Sequence, residues 1–230
     1  YLAHLDSEIS VTVFIGATHH GAFPITRLRR YILPLKINSI FLLFTPSHGR
    51  LFNDISSVYY LEGLSPMTSR LLKRHQYRST NQNQQYAKTI LLSGSVGENH
   101  KRRRFLFETL LCESNQTLDF RVRYARGDIE HLSDLYSSHT ISVNVPIAND
   151  INQRHWEIIA SGGVPLFLNS SEQVFHRDWP HLCSFIPPSN LRKPLDLIDW
   201  ALNNYTILAT KSDSAKDYLH TVDEKAVDLI

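Results

Sequence analysis

The chain has 230 residues and a net charge of only +2, which removes any general electrostatic case for binding nucleic acid. Its 42 % hydrophobic and 20 % charged residues are ordinary for a globular protein, enough for one large domain or two small ones. The longest apolar runs, IFLLF and VPLFL, fall far short of the roughly 20 residues that cross a bilayer, so no membrane span is expected.

In chain order, ISVTVFIGA (9–17) reads as a buried strand, TRLRRYILPL (26–35) as a helix, INSIFLLFT (37–45) as a second strand and SSVYYLEG (56–63) as a third. SPMTSRLLKRHQYR (65–78) opens with Ser65 as a cap and Pro66 at the first helical position. STNQNQQYAK (79–88) is polar and nearly free of aliphatic residues, so it reads as a linker. Strand and helix signals then alternate again: TILLSG (89–94), NHKRRRFLFETLLCES (99–114), LDFRVRYA (118–125), DIEHLSDLYSSH (128–139) and TISVNV (140–145). PLDLIDWALNN (194–204) and the tail from about Ser212 read as helices. Such alternation implies parallel strands with crossover helices. The expected organisation is two facing α/β lobes: a small one over 1–80, on the acceptor side, and a nucleotide-binding one over 88–230.

Cys112 and Cys183 are far apart, without metal-ligand spacing, and read as two buried free thiols. The first residue is Tyr1 in place of Met, so further domains of a larger polypeptide are expected beyond this stretch. Three N-x-S/T sequons, at Asn115, Asn169 and Asn204, compare with about two from chance, so a cytoplasmic location is expected and a secretory lumen is the alternative. Of the basic runs, RLRR (27–30), KRHQYR (73–78) and KRRR (101–104) read as solvated helix faces or as sites for an anionic ligand.

Two strand-to-helix turns carry the chemistry. DINQRHWEIIASGGVPLFLN (150–169) follows the strand TISVNV, with Asn149 or Asp150 as the N-cap of a helix from about Ile151 that Gly162 and Gly163 end. The helix start faces the ligand edge of a parallel sheet, where its free N–H groups suit a phosphate. Arg154 and Glu157 share one helix face: either a guanidinium for a diphosphate and a carboxylate for a ribose diol, or a surface ion pair. In LLSGSVGENHKRRR, Ser93, Gly94, Ser95 and Gly97 follow a strand and precede a basic helix, which lets backbone approach a phosphate. The GxGxxG and GK[ST] patterns are absent.

NVPIANDINQRHWEIIASGGVPLFLN resembles the donor-binding motif of GT-B glycosyltransferases, in which a strand and variable loop precede N-x-R-x-x-E, a small-residue run and an apolar strand. The stretch DINQRHWE is similar to the CgeB-like branch; EIIASGGVPLF and DWPHLCSFIPP are similar to the exostosin-like one. The resemblance covers roughly residues 88–205. It implies sugar transfer from a nucleotide-sugar donor to an oligosaccharide or glycoprotein glycan, with no cofactor and no essential metal. It assigns Glu157 to the ribose, and Arg154 with the amides around Asn149, Asp150 and Asn152 to the diphosphate and sugar. Ser93, Gly94, Ser95 and Arg103 (or its neighbours Arg102 and Arg104) would meet the phosphates, and Asn144 the base or sugar. Many retaining members carry E-x7-E; its first position falls here on Asn149, which points to inversion.

An inverting enzyme needs a general base, and VFIGATHHGAFP offers His19 and His20 after a first-lobe strand. Asp6, His48 and Glu62 are weaker candidates, and His48 with Arg50 also suits an acceptor. Trp156 and Trp200 read as core, and Trp179 as a loop anchor. Two other readings stay open: a sugar-nucleotide epimerase or hydrolase, and a non-catalytic sugar-nucleotide or glycan binder.

Overall fold

The computed structural model describes residues 12–15, 30–31, 37–42, 50, 52, 54, 57–60, 66–75, 88–114, 120–146, 152–168 and 179–227. His19, His20, Asn149 and Asp150 lie outside the described residues, as do Asp6, His48, Glu62 and most of the helix expected over 26–35.

Two parallel sheets organise the chain. The first runs β1 (Thr12–Ile15), β2 (Ser39–Leu42) and β3 (Ser57–Tyr60) in sequence order, with Val13 opposite Ile40 and Ile40 opposite Val58. The second holds β4 (Thr89–Ser93), β5 (Arg121–Ala125), β6 (Ile141–Asn144) and β7 (Pro165–Phe167) in the order β5-β4-β6-β7, all parallel. β4 and β6 are interior strands covered on both faces, and their sequences are correspondingly apolar. β5 is an edge strand, which is why Arg121 and Arg123 alternate outward with Val122 and Tyr124 inward.

Six helices accompany the strands among the described residues: α1 (Pro66–His75), α2 (Lys101–Ser114), α3 (Ile129–Ser138), α4 (Gln153–Ala160), α5 (Pro194–Asn203) and α6 (Tyr205–Val227). Two 3-10 turns, Glu98–His100 and Pro180–Phe185, lie among the described residues as well. α2 leads from β4 outward to β5. α3 and α4 lead the opposite way, so right-handed crossovers put α2 on one face of the sheet and α3 with α4 on the other. The side chains agree: Leu91 packs with Leu132, Leu135, Tyr136 and Ile158, whereas Phe107 of α2 meets Tyr124 across 5.9 Å.

α4 is short but almost entirely enclosed; Trp156, Ile158, Ile159 and Ala160 are fully buried. Two packing details fix its exit. Gly162 turns with φ +74°, and a Cβ on Gly163 would stand 2.8 Å from the Tyr136 carbonyl oxygen, so α3 and the α4–β7 turn touch backbone to backbone. Ser212 Oγ donates to the Gly163 carbonyl at 2.7 Å and pins α6 to the same turn.

Several expectations are corrected here. α4 starts at Gln153 with Asn152 as its cap, not at Ile151 with Asn149 or Asp150, because Asn152 and His155 close a capping box. The last helix begins at Tyr205, not Ser212. Trp179 stands at the start of a 3-10 turn, Pro180–Phe185. The cysteines are free but not buried: Cys112 is exposed and Cys183 half-buried. Trp156 is buried core, with Trp179 stacked edge-on at 4.7 Å, while Trp200 is half-buried.

The polar stretch after α1 does not mark where packing changes partners. Leu71 and Leu72 of α1 are buried in the same core as Ile90, Trp156 and Leu219, and α1 lies against α4 and α6. Arg70 pairs with Glu130, Arg74 pairs with Asp134 at 3.0 Å, and Lys216 Nζ reaches the His75 carbonyl at 3.4 Å.

Candidate functional site

The strand order reverses between β4 and β6. The chain leaves β4 toward β5 and leaves β6 toward β7, which opens a crevice between their carboxyl ends, the place where open parallel sheets bind ligands. The SGSVG turn after β4 lies there, as does the start of α4 with its cap Asn152.

Gly94 is the focal residue. Its φ of +126° is closed to ordinary L side chains, and a Cβ there would fall 2.7 Å from Arg154 Nη1 and 2.9 Å from Arg103 Nη1. Two guanidinium groups from different helices thus converge over one bare backbone position. Tyr124 Oη fixes that position from below by donating to the Gly94 carbonyl at 2.9 Å.

The two arginines are held differently. Arg103 is nearly buried. Its Nε donates to the Val145 carbonyl at 2.8 Å, its Nη2 to the same oxygen, and its Nη1 to the Ser95 carbonyl at 3.0 Å. It therefore ties the turn after β4 to the turn after β6. Arg154 Nε donates to Tyr136 Oη at 3.2 Å, and the same phenol oxygen lies 3.1 Å from Ser93 Oγ. Burial pushes the Tyr136 phenol up, so it stays neutral and serves as a fixed hydrogen-bonding post.

The α4 terminus is built from its cap. Asn152 Oδ1 accepts from the Arg154 backbone N–H at 3.1 Å and from Asn144 Nδ2 at 3.2 Å. His155 Nδ1 accepts from the Asn152 backbone N–H at 3.0 Å, the place a Glu or Gln takes in the usual capping box. Because Asn144 must donate to Asn152, its carbonyl oxygen is the acceptor left over. That oxygen is buried with no partner among the described residues.

Arg154 and Glu157 do not form the surface ion pair that their spacing allowed. Glu157 is half-buried. Burial raises its carboxyl above the usual range, and the charge of Arg154 pulls it partly back. The site thus combines a helix terminus, a tethered guanidinium, a bare backbone turn and an acceptor carboxylate, a set that suits a diphosphate joined to a vicinal diol.

Of the residues proposed from sequence, Ser93, Gly94, Ser95, Arg103, Asn144, Asn152 and Arg154 gather at this crevice, with Glu157 one turn along α4. Sequence reasoning missed Tyr136 and His155. Tyr136 had a signal: it sits on the apolar stripe of α3 with Leu132 and Leu135, and a buried tyrosine hydroxyl needs a partner. His155 had none, since a histidine in a capping box follows no common pattern.

No family model matches the chain, and no curated protein does. Among solved structures it is similar to a UDP-forming α,α-trehalose-phosphate synthase from Burkholderia xenovorans, with a TM-score of 0.51 at 12 % identity over 96 % of this chain and 68 % of that one. At such identity the likeness speaks to architecture alone. The chain has a GT-B-like α/β fold: two Rossmann-like units with parallel sheets, the first of them reduced.

Proposed function

We propose that the chain is a glycosyltransferase, related to the CgeB-like and exostosin-like enzymes, that moves a sugar from a nucleotide-sugar donor to a hydroxyl of a glycan acceptor by a metal-independent, inverting route. The observation that carries this reading is the convergence of Arg154, Gly94 and the capped start of α4 at the switch point, one helical turn from the Glu157 carboxylate. The similar solved structure is of an enzyme described as UDP-forming, which supports a nucleoside diphosphate as the leaving group.

In this reading the diphosphate lies across Gly94 and the α4 terminus. As the bond from the anomeric carbon to the phosphate oxygen breaks, negative charge grows on that oxygen, and Arg154 with the helix N–H groups stabilises it without reorganising. Glu157 accepts hydrogen bonds from the ribose hydroxyls. The acceptor oxygen forms the new bond to the anomeric carbon, and its proton passes to His19 or His20.

Thermal unfolding of the full chain with a panel of nucleoside diphosphates and nucleotide sugars, with and without EDTA, tests the proposal. One nucleotide at about 100 times its Kd raises Tm by roughly 5–10 °C, EDTA leaves the rise intact, and Glu157→Ala removes it. A rise that EDTA abolishes rejects the metal-independent route, and no rise with any nucleotide rejects the donor site.

A further inference from the structure

A cavity of about 550 Å³ opens beside the end of β7, on the side of the sheet that carries α2 and α5. It lies between the first turns of α2 and α5 and the segment that joins the second 3-10 turn to α5. Its volume is in the range of small-molecule sites. It lies beside the crevice described above but is lined by other residues: none of Ser93, Gly94, Ser95, Arg103, Asn144, Asn152 and Arg154 contributes to its wall.

The chemistry of this cavity is unusual for a sugar or nucleobase site. Phe105, Leu106, Phe167, Ile186, Leu191 and Leu197 dominate its wall, and Ser189 is the one neutral hydrogen-bonding side chain among its described residues. Sugars and bases need several donors and acceptors, whereas this wall offers hydrocarbon contact. Its two charges are both positive, Arg102 and Arg192, and no carboxylate lines it among the described residues. The ion pairs of the described residues engage Arg70, Arg74 and Arg104 instead. Phe105 is 69 % exposed at the rim, an unusual position for a large aromatic on a helix.

We propose that this cavity binds a hydrocarbon phosphate, an aliphatic chain of isoprenoid type ended by a phosphate. The chain fills the apolar wall, and the doubly charged phosphate meets the two arginines, whose planar forks suit its oxygens. The phosphate end comes close to the crevice. Arg102 faces the cavity while the next residue, Arg103, spans the crevice turns, and the Leu168 amide bonds the Asn144 carbonyl at 3.0 Å. This inference stands apart from the glycosyltransferase reading, since it rests on a different set of residues.

Titration calorimetry of the full chain with farnesyl monophosphate, farnesol and UDP tests it. Farnesyl monophosphate is expected to bind at least about ten-fold more tightly than farnesol, a gap of about 1.4 kcal/mol. The pair Arg102→Gln with Arg192→Gln should bring it down to the farnesol level. Phe105→Glu, at an exposed position that leaves the fold intact, should abolish binding. Saturating UDP should leave binding unchanged. Absence of binding, equal binding of farnesol, indifference to either substitution, or displacement by UDP would each overturn the assignment. Displacement would make the cavity part of the nucleotide crevice, and a UDP response alone would leave the donor reading standing while this one fails.

Discussion

Glu157 has its carboxyl in surroundings that favour the neutral acid. The folded chain therefore holds that proton to a higher pH than the unfolded chain does. Between the two pKa values the folded state binds more protons, so stability falls as pH rises through that window. Glu157→Gln keeps the volume and removes the titration. It should unfold at a higher temperature than the parent at neutral pH, and the gap should close below the ordinary carboxylate range. The same substitution should weaken nucleoside diphosphate binding by roughly 10- to 100-fold, the worth of a charge-assisted bond at 1.5–3 kcal/mol. Parallel melting curves at pH 4 and pH 7.5, with and without nucleotide, check both halves. A glutamine variant that is less stable at neutral pH would mean that the carboxylate has a structural partner and is not held for a ligand.

At the scale of elements, the α4 terminus separates folding from binding. Asn152 accepts two hydrogen bonds through Oδ1, one from the Arg154 amide and one from Asn144. Aspartate can accept both, and its charge is favourable beside a helix N-terminus. Asn152→Asp should therefore match the parent in urea denaturation, whereas Asn152→Ala should lose about 1 kcal/mol of cap energy. A phosphate approaching the terminus meets repulsion from the new carboxylate, so Asn152→Asp should bind nucleoside diphosphate at least about ten-fold more weakly despite its intact fold, since a like charge a few ångströms away costs on the order of 1–4 kcal/mol. Equal nucleotide affinity in the parent and the aspartate variant would move the anion site elsewhere. The place of this element, though not its first residue, was legible in the sequence. The apolar VPLFL and the glycine pair fixed the strand and the helix end, because those signals are local. The cap was misplaced by two or three residues because Asn149, Asp150 and Asn152 are all good caps, and the choice rests on His155 and Asn144, contacts that spacing does not reveal. Arg103 was legible as a candidate for the site and illegible as a bridge, since its partners Ser95 and Val145 meet only through the strand order β5-β4-β6-β7.

For the whole molecule, the question is where the second unit begins. The polar run after residue 78 reads as a boundary, yet α1 stands before that run and packs against α4 and α6, which stand after it. The ion pairs from Arg70 and Arg74 to α3 are exposed and contribute at most about 1 kcal/mol each. The weight falls on Leu71 and Leu72, both essentially fully buried, each stabilising by about 1.5–3 kcal/mol. A fragment of residues 64–230 should therefore resist urea better than one of residues 88–230, by about 3 kcal/mol or more. Leu72→Ala in the longer fragment should lose about 2–5 kcal/mol. Arg70→Ala should stay within about 1 kcal/mol of the parent. This ranking arises because α1 covers α4, whose Trp156, Ile158, Ile159 and Ala160 are fully buried. Loss of α1 should then weaken nucleotide binding as well as stability, because α4 positions Arg154 and Glu157 together. Equal urea midpoints for the two fragments would show that α1 is a passenger on the second unit and would return the boundary to residue 80.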